Sequence, residues 1–204
     1  MSTILALLIG YLLGSIPSAY LAGRLVKGFD IRQVGTRNMG AMNVFYQVGF
    51  LYGLMVLFAD VGKGMAALAI ARWLDVPEGV VFLAGLFAII GHSFPVWLKF
   101  HGGKGGATLI GIFVFLMPWG LPIGLCIFGL LMLITRFPTL SYSIGLLCFP
   151  FVAWLIYHDG SLVAYSIGML LVPALQYVPR VKEIYSKAGS WRRVIKRKNL
   201  KDRM

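Results

Sequence analysis

Charge is scarce in this 204-residue chain, in which 13% of the residues are Asp, Glu, Lys or Arg and only 7 are acidic. A soluble domain carries about 25% charged residues. With 59% hydrophobic residues and a mean hydropathy of +0.83, the chain cannot cover a water-facing surface. The composition excludes an ordinary soluble enzyme and predicts an integral membrane protein, because lipid must be the solvent over most of its length.

Cysteine is nearly absent as well, with two residues in the whole chain. Cys126 and Cys148 lie in apolar segments without a His or acidic partner, so we interpret them as small buried hydrophobic residues. The sequence also has no Ser-His-Asp set, HExxH motif or pair of carboxylates. Covalent serine catalysis and metal-dependent hydrolysis therefore have no support, and we expect neither a metal nor a cofactor.

Long apolar stretches account for most of the chain, and a spanning helix needs roughly 20 such residues. No basic residue precedes the first stretch, so we interpret it as a retained spanning helix and not as a signal peptide. The fourth contains Pro118 and Pro122 around Gly120, which favours either one kinked span or two short segments meeting at a turn. The six stretches are 4–22, 50–72, 79–98, 108–134, 139–157 and 160–179.

The charge of the loops favours two crossings of the fourth stretch, because Lys and Arg collect on the cytoplasmic side of a membrane. With two crossings, every basic cluster lies inside; with one, the very basic end of the chain lies outside. We therefore predict an all-α polytopic membrane protein with about seven transmembrane helices, its N-terminus outside and its C-terminus cytoplasmic. Residues 1–180 would form the membrane-embedded domain and residues 181–204 a basic cytoplasmic tail.

The basic tail raises the question of its partner. A pI near 10 would suit nucleic acid. A segment tethered beside a membrane is instead attracted to anionic headgroups, by about 1 kcal/mol for each Lys or Arg. We therefore expect membrane lipids and no nucleic acid as partners of the tail, and we expect the protein to be a monomer.

The first of three polar segments covers residues 30–44 and contains the run Gly35-Thr36-Arg37-Asn38-Met39-Gly40. Its glycines allow tight turns, while Thr36, Asn38 and the following Asn43 offer hydrogen bonds without charge. Arg32 and Arg37 carry forked donors that suit phosphate. Composition alone also allows an ordinary polar connecting loop.

The second polar segment covers residues 91–108 and contains the run Gly102-Gly103-Lys104-Gly105-Gly106-Ala107-Thr108. Backbone N–H groups beside Lys104, at the start of an apolar helix, can converge on an anion. The run is not a Walker A loop, because Gly105 follows the lysine and Leu98 occupies the required upstream glycine position. The sequence therefore predicts a phosphate site without nucleotide hydrolysis, although a flexible hairpin would share the composition.

The third polar segment lies inside the second apolar stretch, where Asp60 and Lys63 are three residues apart on one helical face. An internal ion pair is the simpler interpretation, and contact with a charged substrate or a proton path is the alternative. His92 could be a general base or a hydrogen-bonded structural residue.

Together these segments resemble the bacterial membrane-integral acyl-phosphate:glycerol-3-phosphate acyltransferases, the PlsY family. The resemblance covers roughly residues 8–110 and is strongest in the second polar segment. Its blocks are Tyr11-Leu12-Leu13-Gly14-Ser15-Ile16-Pro17, Asp30-Ile31-Arg32, Gly35, Asn38, Gly40-Ala41, Asn43-Val44, Asp60, Lys63-Gly64, Gly91-His92-Ser93-Phe94-Pro95-Val96, Gly102-Gly103-Lys104-Gly105 and Ala107-Thr108.

The resemblance implies transfer of a fatty acyl group from acyl phosphate to the 1-hydroxyl of glycerol 3-phosphate, giving lysophosphatidic acid at the cytoplasmic face of the cell (inner) membrane. An acyl phosphate is already activated, so positioning and electrostatics would suffice. The implied catalytic residues are Lys104, Thr36, Asn38 and His92, with His92 in a supporting place. The implied substrate-binding residues are Gly35, Arg37, Gly40, Asn43, Gly102, Gly103, Gly105, Thr108, Ser141 and Ser143.

Several positions depart from the family pattern and indicate a divergent member. Thr36-Arg37-Asn38 stands where the family usually has Ser-Gly-Asn, and Met42, Tyr46 and Tyr142 replace expected residues. The His and Asn expected past the last span are missing from 178–182. Arg37, Arg180 or Lys182 could compensate, or the acceptor could be another polyol phosphate.

Two interpretations from other functional classes stay open at this point. A small transporter would account for the intramembrane Asp60 and Lys63, with half-helices at 118–122. It predicts polar residues through the full depth of the bundle, whereas these motifs crowd one face. A catalytically silent scaffold predicts that Lys104→Ala leaves the cellular phenotype unchanged.

Overall fold

A computed structural model describes residues 1–190, apart from the side chains of residues 184, 187 and 188. Every regular element in that range is helical, which confirms the all-α prediction. The helices are α1 Ser2–Gly14, α2 Ser18–Lys27, α3 Ala41–Gln47, α4 Phe50–Trp73, α5 Glu78–Ser93, α6 Gly106–Leu116, α7 Gly120–Thr135, α8 Pro138–Leu146, α9 Cys148–Leu155 and α10 Gly160–Ala188. Two short 3₁₀ helices, Ile31–Gln33 and Val96–Leu98, lie in the connecting segments.

Within residues 1–190, five segments are long and apolar enough to cross a membrane: Ser2–Lys27, Phe50–Trp73, Glu78–Leu98, Pro138–Leu155 and Gly160–Glu183. The fourth apolar stretch is divided, since α6 ends at Leu116 and α7 begins at Gly120. Helices α6 and α7 are apolar but have 11 and 16 residues, about 16 and 24 Å at 1.5 Å per residue. The count of seven spans and the orientation of the termini therefore stay predictions.

The chain forms two compact units, the first comprising Met1–Pro118 and the second beginning at Trp119. In the first unit, α1 packs on α4 and α5, and α4 packs on α6. In the second, α7 packs on α8 and α9, and α9 on α10. The Asp159 carboxylate accepts the N–H groups of Ser161 and Leu162 and begins α10, which continues to Ala188. The remainder of the predicted tail, from residue 191, lies outside the described residues.

Glycine lets the helices of the first unit approach backbone to backbone. A Cβ atom at Gly14 of α1 would overlap the carbonyl oxygen of Ala88 in α5, and one at Gly111 of α6 would overlap the carbonyl oxygen of Val61 in α4. Small residues at such contacts are typical of membrane helices, where close packing replaces the hydrophobic driving force.

We expect Gly14→Ala to destabilise the first unit by about 1–3 kcal/mol, the usual cost of overpacking a tight contact. The matched control is Gly62→Ala in α4, where an added Cβ meets no atom within 4 Å. The control should be neutral or slightly stabilising, since Ala favours helix over Gly. Thermal unfolding in detergent compares the two, and equal midpoints would contradict the packing argument.

Candidate active site

Two of the predicted polar segments meet in the first unit. The second segment ends with the glycine-lysine loop, residues 102–105, and a Cβ atom at Gly103 would overlap the carbonyl oxygen of Met39 in the first segment. Arg32 of the first segment also bonds to the backbone just before this loop. Residues 66 and 69 positions apart in sequence, Arg32 with Leu98 and His101, are thereby brought to one site.

Asn43 shapes the first segment from within. Its side chain is 1% exposed, and its amide nitrogen donates to the carbonyl oxygens of Ile31, Val34 and Asn38 at 2.9–3.1 Å. Its Oδ1 accepts the N–H of Thr36 at 3.1 Å. Because these bonds occupy the amide, Asn43 is placed to hold the segment's conformation, and the substrate contact implied by the resemblance stays a prediction.

Thr36 and Asn38 lie half-buried on the segment that Asn43 shapes. The N–H of Asn38 donates to Thr36 Oγ1 at 3.4 Å. Gly35 has φ +58° and Arg37 has φ +57°. A side chain at Gly35 would overlap the side chains of Asn43 and Gln47. The left-handed turns therefore depend on the hydrogen bonds made by the buried Asn43 amide. Gly40 follows these turns in extended conformation at the start of α3.

The glycines of the second segment pack against the end of α5. Gly102 N–H donates to the carbonyl of Ser93 at 3.0 Å, and Gly103 N–H donates to that of His92 at 3.1 Å. These two N–H groups are therefore engaged, which corrects the expectation that they converge on an anion. A Cβ at Gly102 would overlap the His92 carbonyl, and one at Gly103 would overlap the His92 ring, so both positions require glycine for space.

The start of α6 supplies the donors that an anion could use. Gly105, with φ +76°, precedes the first helical residue, Gly106, and Lys104 is half-buried beside it. N–H groups in the first turn of a helix have no partner within the helix, and the helix dipole favours negative charge there. Thr108 in this turn is fully buried, and its Oγ1 has no hydrogen-bond partner among the described residues.

Asp60 and Lys63 form a buried ion pair, as the simpler interpretation of the sequence predicted. Lys63 Nζ lies 2.7 Å from Asp60 Oδ1, with side-chain exposures of 4% and 1%. Lys63 also donates to the Ile16 carbonyl at 3.0 Å, and Ser18 Oγ donates to Asp60 Oδ1 at 2.5 Å. The pair therefore joins α4 to the turn between α1 and α2, where each partner lowers the cost of burying the other.

His92 lies between this ion pair and the glycine-lysine loop. Its Nδ1 is 3.8 Å from Asp60 Oδ1, which is too long for a hydrogen bond. The other side of the ring faces Gly103, and the residue is 3% exposed. His92 is therefore placed to support the loop through its ring and its backbone carbonyl.

Arg32 has a different role from the phosphate contact expected of it. Its Nη2 is 2.7 Å from Asp30 Oδ2 and its Nε is 3.0 Å from Asp30 Oδ1. Its Nη1 donates to the carbonyls of Leu98 and His101 at 3.3 and 3.0 Å. The guanidinium is therefore bonded to groups of the protein itself, and Arg32 supports the conformation of the site. The sequence placed Asp30 two residues away but carried no signal for the bonds to residues 98 and 101.

The hydrogen bonds from Arg32 hold the pKa of the Asp30 carboxyl below its usual value of 3.8. Because this pKa is lower in the folded than in the unfolded protein, the stabilisation is complete above about pH 4 and lost as the pH falls through the folded value. We expect Asp30→Asn to be less stable near neutral pH and to lose less further stability on acidification. Thermal midpoints measured from pH 6 to pH 3 test this, with exposed Asp75→Asn as the control. If the midpoint of Asp30→Asn fell with pH as steeply as that of the wild type, the expected pH dependence would be contradicted.

Two expected substrate-binding residues, Ser141 and Ser143, belong to the second unit. Ser141 is fully buried with its Oγ 3.2 Å from Thr135 Oγ1, whereas Ser143 is exposed. Arg180, considered as a compensating cation, lies 2.7 Å from Glu183. The substrate contacts of these residues stay predictions.

The fold and site define a class of protein: a helical membrane protein whose first unit carries a lysine and a helix N-terminus suited to an anion. The chain matches the family described as glycerol-3-phosphate acyltransferase over residues 4–187. It therefore belongs to this family, the PlsY family of integral membrane acyltransferases.

Relatives match nearly full length. "Glycerol-3-phosphate acyltransferase 2" of Dehalococcoides mccartyi is 56% identical over 98% of this chain and 97% of its own. "Glycerol-3-phosphate acyltransferase" of Endomicrobium trichonymphae is 33% identical over 96% and 98%. The crystal structure of PlsY (YgiH) in its glycerol 3-phosphate form is similar with a TM-score of 0.83 and 26% identity, over 92% of this chain and 94% of that one.

Proposed function

We propose that this protein transfers a fatty acyl group from acyl phosphate to the 1-hydroxyl of glycerol 3-phosphate, giving lysophosphatidic acid. The observation that carries the proposal is the close approach of the first polar segment to the glycine-lysine loop, which contains Lys104 and leads into α6, in a chain of this family. A solved relative has been captured in forms with glycerol 3-phosphate and with lysophosphatidic acid, both ligands that carry a phosphate.

An acyl phosphate needs no nucleophilic side chain, because its mixed anhydride is already activated. The hydroxyl oxygen of the acceptor attacks the acyl carbon, the bond from that carbon to the phosphate oxygen breaks, and inorganic phosphate leaves. The leaving phosphate can take the hydroxyl proton, so atoms and charge balance without a further reactant. The protein then has to hold two anions close together and orient one hydroxyl.

We assign the residues of the first unit to two tasks. Lys104 and the first-turn N–H groups of α6 bind phosphate by charge and by donated hydrogen bonds. Thr36 and Asn38 orient the substrate. Both are half-buried and lie on the first segment. Asn43 and His92 keep these groups in place through the bonds and packing described above.

The positions that depart from the family pattern bear on which acceptor is bound. Of these, Arg37 lies on the first segment and Tyr46 beside it, and both are exposed. Family membership favours glycerol 3-phosphate and argues for an enzyme over a transporter. We place the site at the cytoplasmic face, because that side would carry the basic loops in the seven-span topology.

The decisive experiment supplies palmitoyl phosphate and labelled glycerol 3-phosphate to the purified protein in lipid. Labelled lysophosphatidic acid is the expected product, with inorganic phosphate released in equal amount. Inorganic phosphate release that depends on another polyol phosphate, with no labelled lipid, would show a different acceptor. A folded preparation that consumes no acyl phosphate with any acceptor would overturn the proposed reaction.

A further inference from the structure

We propose that Arg32 is a positioning residue that holds the glycine-lysine loop in its binding conformation. Its guanidinium bonds to the carbonyls of Leu98 and His101, and this clamp sets where Lys104 lies. The inference rests on the proposed phosphate-binding role of Lys104.

The backbone that the clamp holds is in an uncommon conformation. Lys99 and Phe100 are consecutive left-handed residues, with φ +53° and +61°, and neither is glycine. Only a few per cent of non-glycine residues adopt such angles, and they persist where the surroundings enforce them. The two carbonyls that accept from Arg32 Nη1 flank this pair, one immediately before it and one immediately after it. The two hydrogen bonds therefore hold the strained turn at both of its ends.

The clamp is itself held rigid from two sides. Asp30 is 7% exposed at its side chain and accepts from both Nε and Nη2 of Arg32, so the guanidinium cannot rotate away from the loop. The Tyr20 ring lies 5.4 Å from the guanidinium carbon. A planar fork is needed to reach one carboxylate and two carbonyls together, because a lysine ammonium carries its three donors on one nitrogen.

The loop leads directly from the clamp to the binding groups. His101 is followed by Gly102 and Gly103, whose N–H groups are paired with the end of α5, and then by Lys104. Without the hydrogen bonds from Arg32, Lys99 and Phe100 can leave the left-handed conformation, and the residues from Gly102 to Lys104 then shift with them. A displacement of about 1 Å at a positioned group can cost about 100-fold in rate. Arg32 therefore acts on the reaction through Lys104 and without touching substrate.

Arg32→Lys tests the clamp against a matched control, Arg24→Lys. Arg24 lies over the same Tyr20 ring at 5.5 Å, but its hydrogen bonds go to the Tyr20 hydroxyl and the Gly28 carbonyl. Both substitutions keep the positive charge. We expect Arg32→Lys to lower kcat/KM at least about 10-fold and Arg24→Lys to change it less than about 2-fold.

A mutant cycle with Lys104→Ala separates positioning from a general loss of folded protein. If Arg32 acts through Lys104, Arg32→Lys should lower the residual activity of Lys104→Ala by less than about 2-fold, because coupled residues are not additive. An unchanged factor of 10 in both backgrounds would overturn the proposal.

Amide hydrogen exchange provides a readout that needs no activity. We expect the amides of Gly102 and Gly103 to exchange at least about 10-fold faster in Arg32→Lys than in the wild type and Arg24→Lys. Equal exchange in all three proteins would overturn the clamp, whatever the enzyme assay shows. Faster exchange in Arg32→Lys, combined with a wild-type protein that transfers no acyl group, would support the clamp and locate the failure in the proposed function.

Discussion

Replacing Lys104 by Ala is expected to lower kcat/KM for acyl transfer by about 100-fold or more. Lys104 is half-buried directly before α6, where its charge adds to the helix dipole and to the first-turn N–H groups. Removing one preorganised electrostatic contact from an active site costs about 100- to 1,000-fold in kcat. Steady-state kinetics of purified protein with palmitoyl phosphate and glycerol 3-phosphate give the measurement.

Lys27→Ala is the matched control for Lys104→Ala, since Lys27 is an exposed lysine at the end of α2, away from the described site. Its replacement should change kcat/KM only slightly, because an exposed charge is screened by solvent and salt. Lys104→Arg should retain part of the activity by keeping the charge. An unchanged kcat/KM in Lys104→Ala would remove the lysine from the site and with it the proposed phosphate contact.

Replacing Asp60 by Asn is expected to cost about 3–5 kcal/mol in the free energy of unfolding. The substitution leaves the Lys63 ammonium buried without a compensating charge, and breaking one side of a buried ion pair typically has this cost. The contact between α4 and the turn at Ile16 and Ser18 would weaken at the same time. The fraction of protein that stays folded on heating in detergent reports the change.

The double variant Asp60→Asn/Lys63→Met tests whether Asp60→Asn is destabilised by the unpaired charge of Lys63 or by altered packing. Removing both charges should restore a large part of the lost stability, because a buried pair can often be replaced by uncharged groups at little cost. Exposed Asp75→Asn makes the same chemical change at the surface and should have little effect. If the double variant were less stable than Asp60→Asn alone, the ion pair would not explain the effect.

Candidate site residues could be proposed from the sequence because phosphate binding requires particular residue types. A lysine among glycines before an apolar helix, and a run of glycine, Thr and Asn, are visible without a structure. The engaged N–H groups of Gly102 and Gly103 were not predictable, since their partners on His92 and Ser93 depend on how the loop folds back on α5. The same holds for Arg32, whose charge suggested phosphate while its bonds go to a carboxylate and two carbonyls.

The sequence by itself determined the membrane setting, the helical class and the family, because hydropathy and short motifs are local properties of the chain. Tertiary structure alone decided which polar groups are engaged within the protein. Asn43 uses its amide within its own segment, and Asp60 and Lys63 use their charges on each other. In a lipid-surrounded protein a buried polar group must find a partner. Lys63 and Arg32 also have partners tens of residues away, at the carbonyls of Ile16, Leu98 and His101, and only the folded chain brings these groups within hydrogen-bond distance.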